Sequence, residues 1–387
     1  MTVASSPAAA DVAALPVPEA RARFQDWLAG HRAELERFRN PGTDVEETFA
    51  SLSGLQRMLF DAGWIRLGWP LELSGLGGSL IHRAMVSEEL AFAGYPPPFS
   101  FGTQEVLGPA IARFAAPELA AEVIPRLLRG DESWCQGFSE SGAGSDLASL
   151  RLRAVDAGSE WRITGEKIWT SWAQFADRCL LLARTGPADS GHRGISAILL
   201  DMATPGIEVR PLVSMNGDAE FCSLYFEDVA VPKSRTVGAV NGGWAVAMYI
   251  LSCERGAAAW QRQAWMAWRL RGLLEQAPQL PPEQAGEAFE LIHALRLLSR
   301  RTLRTLAAGE QLAAAPSFDK LLMSTAEKFL FDTALAALPD PLVLRTDPPS
   351  TAWRADYFYS RAASIYGGAA EIQRNIIAER ILGLPRD

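Results

Sequence analysis

The chain is short of cysteine, of basic runs and of long apolar stretches, and each shortage narrows what it can be. Four cysteines (Cys135, Cys179, Cys222 and Cys253) stand far apart in 387 residues. None has metal-ligand spacing, so no metal site is expected, and they read as reduced, mostly buried thiols of a cytoplasmic protein. Lys and Arg total 37 against 45 Asp and Glu, a formal net charge of −8. Without a Lys/Arg cluster there is no footprint for a phosphate backbone, which argues against a nucleic-acid partner. The apolar stretch at residues 244–251 is too short to span a bilayer. The Ala-rich start lacks the basic and apolar regions of a signal peptide, and residues 1–16 are expected to form a disordered tail. No internal repeat and no low-complexity domain stands out.

What is present describes a soluble globular chain. Of its residues 48% are hydrophobic and 21% charged, and the length suffices for two or three layers of core. Helical periodicity runs over residues 18–38, 46–62, 82–94 and 117–129. Asp44 is placed to cap the second of these, and Pro96, Pro97 and Pro98 separate the last two. From residue 133 the texture changes. Segments 149–155, 160–170, 178–185, 194–201, 206–213 and 221–229 are short, β-branched or aromatic, and divided by turn residues. Residues 156–159 (Asp-Ala-Gly-Ser) read as a hairpin turn. After Gly242 and Gly243 helices return over 244–276, 283–308, 317–337, 350–364 and 370–382. The expected organisation is a helical domain at 17–132, a β domain at 133–238 and a helical domain at 239–387.

The most informative stretch is residues 134–146, Trp-Cys-Gln-Gly-Phe-Ser-Glu-Ser-Gly-Ala-Gly-Ser-Asp. Gly142, Ala143 and Gly144 let a backbone approach a flat or charged ligand, and the hydroxyls of Ser139 and Ser145 flank them. Spacing alone fits a ligand loop and fits a Gly/Ser-rich turn between strands equally well. The wording is more specific. It resembles the flavin-contacting signature of the acyl-CoA dehydrogenase family, with Ser141 in place of the usual proline. Further family blocks follow in order at 165–171 (Gly-Glu-Lys-Ile-Trp-Thr-Ser), at 226–232, and at 365–380 with Tyr366, Gly367, Gly368 and Gln373-Arg374-Asn375. The resemblance implies a mainly α fold with a central β-barrel: an N-terminal helical domain, a middle barrel and a C-terminal four-helix bundle. It also implies FAD as cofactor, an acyl-CoA or acyl-carrier thioester as substrate, and an electron-transfer flavoprotein as partner. Assembly would be a homodimer, a homotetramer or a heteromer with a related subunit.

Removing two hydrogens from a saturated acyl thioester needs a base for the α-proton, a hydride acceptor at the β-carbon and donors at the thioester carbonyl. No side chain accepts a hydride, so a cofactor is required. By resemblance Phe138 and Ser139 meet the flavin ring, Gly144 belongs to the cofactor site, and Ser145 lies near the cofactor phosphates and the substrate's CoA arm. Trp169 packs on the flavin face away from substrate, followed by Thr170 and by Ser171, which reaches toward N5. Trp169 fits an ordinary core aromatic of a strand as well. In the last block Ala369 and Glu371 fall to the cofactor, and Tyr366, Gly367 and Gly368, with Arg255, to the substrate. The family's usual base, a glutamate directly after the tyrosine of that block, is Gly367 here. A minority of members place the glutamate on an earlier helix, just before an arginine, and Glu254 fills that place. Its apolar neighbours Tyr249, Ile250, Leu251 and Cys253 would raise its pKa and suit it to proton abstraction; a helix salt bridge is the alternative reading.

Three family features are missing: an Arg-x-x-Phe-Gly block after residue 255, a Gln-rich Gly-Gly loop, replaced by proline-rich residues 337–349, and the hydroxyl pair replaced by Ala369 and Ala370. Each lost donor to an anion weakens binding by ~1–3 kcal/mol. A different subunit supplying those donors accounts for the losses, and so does weak flavin binding. The same fold hosts flavin-dependent oxygenases and oxidases, and a non-catalytic subunit is a third reading; Glu254 favours dehydrogenation. The wording near Phe138 and Gly367 resembles bacterial members that take bulky acyl groups, including steroid side chains.

Overall fold

The computed structural model describes residues 8–40, 42, 44–99, 101–310, 312, 314–338 and 348–385. Apolar residues at helical spacing draw the first third of the chain into α1 (Val17–Gly30), a short α2 (Arg32–Leu35), α3 (Val45–Asp61), α4 (Leu80–Phe92), α5 (Phe101–Phe114) and α6 (Pro117–Arg129). The Asp44 carboxylate accepts the Glu47 amide at 2.8 Å and caps α3 as expected, satisfying one of the donors that a helix start leaves free. The single helix expected over 18–38 breaks at Gly30 and His31. The tail expected at 1–16 is packed over its described part: Ala9 and Val12 are fully buried, and the Ala9 amide donates to the Ala62 carbonyl at 3.0 Å.

Helix α5 was not foreseen, because Gly102, Gly108 and Pro109 interrupt its sequence. Tertiary packing overrides these breakers. Val106, Leu107, Ala110 and Ile111 enter a core shared with α6 and the sheet. A Cβ at Gly108 would stand 2.8 Å from the Trp69 ring, so close approach demands glycine there.

Eight strands follow: β1 (Trp134–Gly137), β2 (Arg153–Asp156), β3 (Glu160–Ser171), β4 (Arg178–Arg184), β5 (Ile195–Asp201), β6 (Ile207–Leu212), β7 (Phe221–Pro232) and β8 (Thr236–Val237). Their order is β6-β7-β3-β2-β4-β5-β8, with β1 beside β4. The hairpin joining β2 to β3 turns at Gly158, whose amide donates to Asp156 Oδ1 at 2.9 Å. Alternation along β4 and β5 buries both faces. Leu180, Leu182, Ala197 and Leu199 join the core of α5 and α6, while Cys179, Leu181, Ala183, Ile198 and Leu200 meet Ile163, Leu224 and Val229 from β3 and β7. The sheet thus curls over a core of its own. The expected closed barrel is not formed: β6 and β8 end the strand order without pairing to each other. With two residues, β8 is too short to seal an edge. All four cysteines are buried and free.

The last domain holds α7 (Gly243–Gln276), α8 (Pro282–Ala307), α9 (Pro316–Ala337), α10 (Pro348–Ala362) and α11 (Ala370–Arg380). Residues 339–347, most of the proline-rich stretch, lie outside the described residues. At about 50 Å, α7 is long enough to belong to two cores. Val246, Ala247 and Ile250 enter the core against the sheet, and Met266, Leu270 and Leu273 enter the core of the bundle. Its start is pressed onto β5: a Cβ at Gly243 would lie 2.5 Å from the Ser196 carbonyl carbon. Among the described residues no helix is long and apolar enough to cross a membrane. Asp44→Ala is expected to cost about 1 kcal/mol, read as a lowered urea midpoint; an unchanged midpoint would show that the cap does not hold α3.

Candidate active site

The loop after β1 is braced from below by a buried ion pair. Glu140 accepts the amides of Arg151 at 2.7 Å and Leu152 at 2.9 Å, and Lys167 Nζ at 2.8 Å. Lys167 also donates to the Phe138 carbonyl at 3.0 Å. Burial pushes the Glu140 pKa up, but the Lys167 charge and the donated hydrogen bonds outweigh it and leave the pKa lowered. Burial outweighs the pull of Glu140 at Lys167 and lowers the pKa of the ammonium. Neither residue was expected at the site. Strand alternation carried the signal: Trp161, Ile163, Gly165 and Lys167 share one face of β3, and the first two are core residues. Ser141, the departure from the usual proline, donates its hydroxyl to Glu166 at 2.7 Å and ties the loop to β3 a second time.

Above this brace the loop is open. Phe138 and Ala143 are buried, whereas Ser139 is half-buried and Gly142, Gly144 and Ser145 are exposed. A Cβ at Gly142 or Gly144 would meet no atom of the described residues within 4 Å beyond its chain neighbours, so packing among them does not require glycine at either place. The Ile168 amide donates to the Ser139 carbonyl at 3.0 Å, which brings the next residues beside the loop. Trp169 then takes a left-handed φ of 59°, within a register break of β3 on β7. The residue is 61% exposed, and its ring meets only the edge of Phe221, 5.9 Å away, among the ring contacts of the described residues. An aromatic held outward on a strained backbone is not a core residue, so that alternative fails. Next to it Thr170 is fully buried with its hydroxyl unpartnered, and Ser171 is half-buried. A flat aromatic surface, an orphaned hydroxyl and an open glycine loop fit a large planar cofactor.

Glu254 stands on α7 one turn after Ile250, which shares its core with Phe138 and Ala143. Part of the residue remains accessible, but protein atoms crowd the carboxylate. Burial raises its pKa against the opposing charges of Lys320 and Arg255. The decisive geometry lies at Gly367, whose φ is +61°: a Cβ there would lie 3.0 Å from Glu254 Oε1 and 3.7 Å from Lys320 Nζ. A Cβ at Gly368 would collide with Gln373 Nε2 and lie 3.8 Å from an Arg255 terminal nitrogen. Gln373 is fully buried with both amide atoms unpartnered, and Arg255 Nε is unpartnered as well. Thus Glu254, Arg255, Gly367 and Gly368 converge, joined by Lys320 and Gln373. Lys320 was legible only as one of the apolar-face positions of α9, with Met323 and Glu327.

Tyr366 links the two halves. Its ring lies 4.0 Å from Lys320 Nζ and 5.9 Å from Tyr359, and its raised pKa reflects burial first, then charges that include Glu254 and Glu220. Glu220, just before Phe221 of β7, is pushed up to about 7 by burial and by the charge of Asp218, with Arg262 and Tyr359 opposing the rise. Ala369 stands at the N-cap position of α11 without a side-chain cap, and Glu371 in its first turn is exposed. A cavity of about 960 Å³ lies elsewhere, between α1, α4, α7 and α8, and contains none of these residues.

Comparison with known proteins gives the family of the whole chain. Family models described as acyl-CoA dehydrogenase N-terminal, middle and C-terminal domains match residues 21–131, 135–229 and 241–382. The chain is 37% identical over 382 residues to acyl-CoA dehydrogenase IpdE1 of Mycobacterium tuberculosis, covering 96% of this chain and 98% of that one. A solved structure titled Tcur3481-Tcur3483 steroid ACAD superposes with a TM-score of 0.84 at 28% identity, covering 99% of this chain and 100% of that one. The ChsE4-ChsE5 complex from Mycobacterium tuberculosis gives 0.75 at 27% identity, with all of both chains covered.

Two outcomes follow from the geometry. Lys167→Met is expected to cost about 3 kcal/mol near neutral pH by leaving a buried carboxylate unpaired. Because the Glu140 pKa is lowered on folding, its stabilisation is complete above its ordinary value of 4.5 and drains as pH falls through the folded value. The gap between wild type and variant should therefore shrink in acid; a gap independent of pH would contradict the pairing. Gly367→Ala is expected to destabilise by ~1–2 kcal/mol through the left-handed backbone alone, and an unshifted melting temperature would contradict that conformation.

Proposed function

We propose α,β-dehydrogenation of an acyl thioester as the reaction of this chain, which belongs to the acyl-CoA dehydrogenase family and is a flavoprotein oxidoreductase. The observation that carries the reading is the Glu254 carboxylate beside the empty side-chain position of Gly367. The place that the family's usual base leaves vacant is supplied from α7. Glu254 takes the α-proton, and its raised pKa makes it a stronger base toward carbon than an exposed carboxylate. Tyr366, Gly367, Gly368 and Arg255 flank the substrate, with Ser145 toward the carrier arm. FAD supplies the hydride acceptor that no side chain offers. Phe138, Ser139, Gly144, Ser145, Trp169, Thr170 and Ser171 would hold it along the sheet, a role that suits the exposed Trp169 ring and the orphaned Thr170 hydroxyl. The amides at the start of α11, beside Ala369 and Glu371, suit its phosphates.

Two of the similar solved structures are titled as pairs of different proteins. They support assembly with a related subunit that completes the cofactor site, and exposed Ile365, Ile381, Leu382 and Leu384 offer apolar surface for it. The similarity to the Tcur3481-Tcur3483 steroid ACAD supports a bulky acyl group on coenzyme A. Electrons would pass to an electron-transfer flavoprotein in the cytoplasm. Glu254→Gln should retain its flavin yet lose anaerobic flavin bleaching by the thioester by at least a thousandfold; bleaching at nearly the wild-type rate would remove Glu254 from the reaction.

A further inference from the structure

We infer that Lys320 is a positioning residue for the proton-abstracting carboxylate, facing Glu254 across Gly367 and holding it ionised and aimed at the substrate position. The inference rests on Glu254 being the base. Lys320 comes from α9, a different element from either of its neighbours at the site, and is 3% exposed. Its Nζ donates to the Ala363 carbonyl at 2.7 Å and lies 4.0 Å from the centre of the Tyr366 ring. Both partners are neutral. A buried ammonium is costly without an opposite charge.

Two carboxylates bear on Lys320, Glu254 and Glu327. Glu327 is already engaged: Arg262 grips both of its oxygens, with Nε on Oε2 at 3.1 Å. Glu254 is therefore the carboxylate left to answer Lys320. The Gly367 notch shows how they face each other, because ammonium and carboxylate flank the same vacant Cβ position at 3.7 and 3.0 Å. A side chain at residue 367 would press on both groups.

The charged and titratable groups around Glu254 are Arg255 on α7, Lys320 on α9 and Tyr366 in the turn after α10, with Arg380 of α11 acting on Arg255. Burial brings Lys320 down to about 8, so it stays cationic through neutral pH. Burial raises the Glu254 pKa, and the Lys320 charge opposes that rise. Removing the charge must move the carboxylate further up, and the acid limb of the reaction with it.

The test uses holoenzyme and the pH dependence of anaerobic flavin bleaching by an acyl-CoA. Lys320→Met should displace the acid limb upward by about one pH unit, a tenfold loss on the acid side, with the rate recovering toward wild type as pH rises. Lys320→Gln, which keeps a donor for the Ala363 carbonyl, carries the same test should the Met variant fold poorly. An infrared titration of the Glu254 carboxylate, by difference against Glu254→Gln, should show the same displacement without turnover. An unmoved acid limb, or an equal loss at every pH, overturns the inference. Full activity of Glu254→Gln would instead overturn the base assignment itself, so the two failures are distinct.

Discussion

The absence of one side chain governs this site. Gly367 adopts a left-handed backbone and presents no Cβ, and the carboxylate of Glu254 occupies the rim of the space that results. That arrangement needs a helix arriving from another part of the chain at a fixed height. The first turns of α7 supply it. Gly243 lets the helix start against β5, and Val246, Ala247 and Ile250 lock it into the same core as Phe138 and Ala143. Glu254 then follows one turn further along. Packing on the sheet thereby sets the height of a group whose partners, Lys320 and the 363–368 turn, belong to the bundle.

Both halves of the site solve the same electrostatic problem. A charge buried for function must be answered by a neighbour, or it neutralises. On the sheet side Glu140 and Lys167 answer each other directly, and two amides complete the carboxylate. Beneath an exposed loop, such a brace holds the backbone still while its upper surface stays open. On the bundle side the charges are held apart around Gly367, and the amide of Gln373 and the Nε of Arg255 remain unsatisfied. A site that must receive a substrate keeps polar groups in reserve, whereas a brace does not.

Local chemistry made much of this legible in sequence. The Asp44 cap, the turn at Gly158, the change of texture near residue 133 and the family wording at 138–146 and 365–380 each depend on residues close in the chain. Glu254 stood out as a candidate because its neighbours are apolar and because Gly367 stands where a glutamate is usual in the family, and the structure sets its carboxylate beside that glycine. Long-range facts were not readable. Helix α5 carries Gly108 and Pro109, which propensity counts against a helix, and packing on Trp69 settles it otherwise. The openness of the sheet depends on which strands find partners, and the short β8 does not announce that. Lys320 and Glu140 owe their meaning to groups many residues away. Trp169 owes its outward ring to a break in register that composition does not encode.

The most direct measurement is exchange of the α-hydrogens of an acyl-CoA analogue that cannot complete oxidation, followed in heavy water by mass spectrometry with the holoenzyme. The account predicts that the wild-type protein exchanges the α-hydrogen and that Glu254→Gln, with its flavin retained, does not. Exchange at an undiminished rate in that variant would place the base elsewhere and contradict the account.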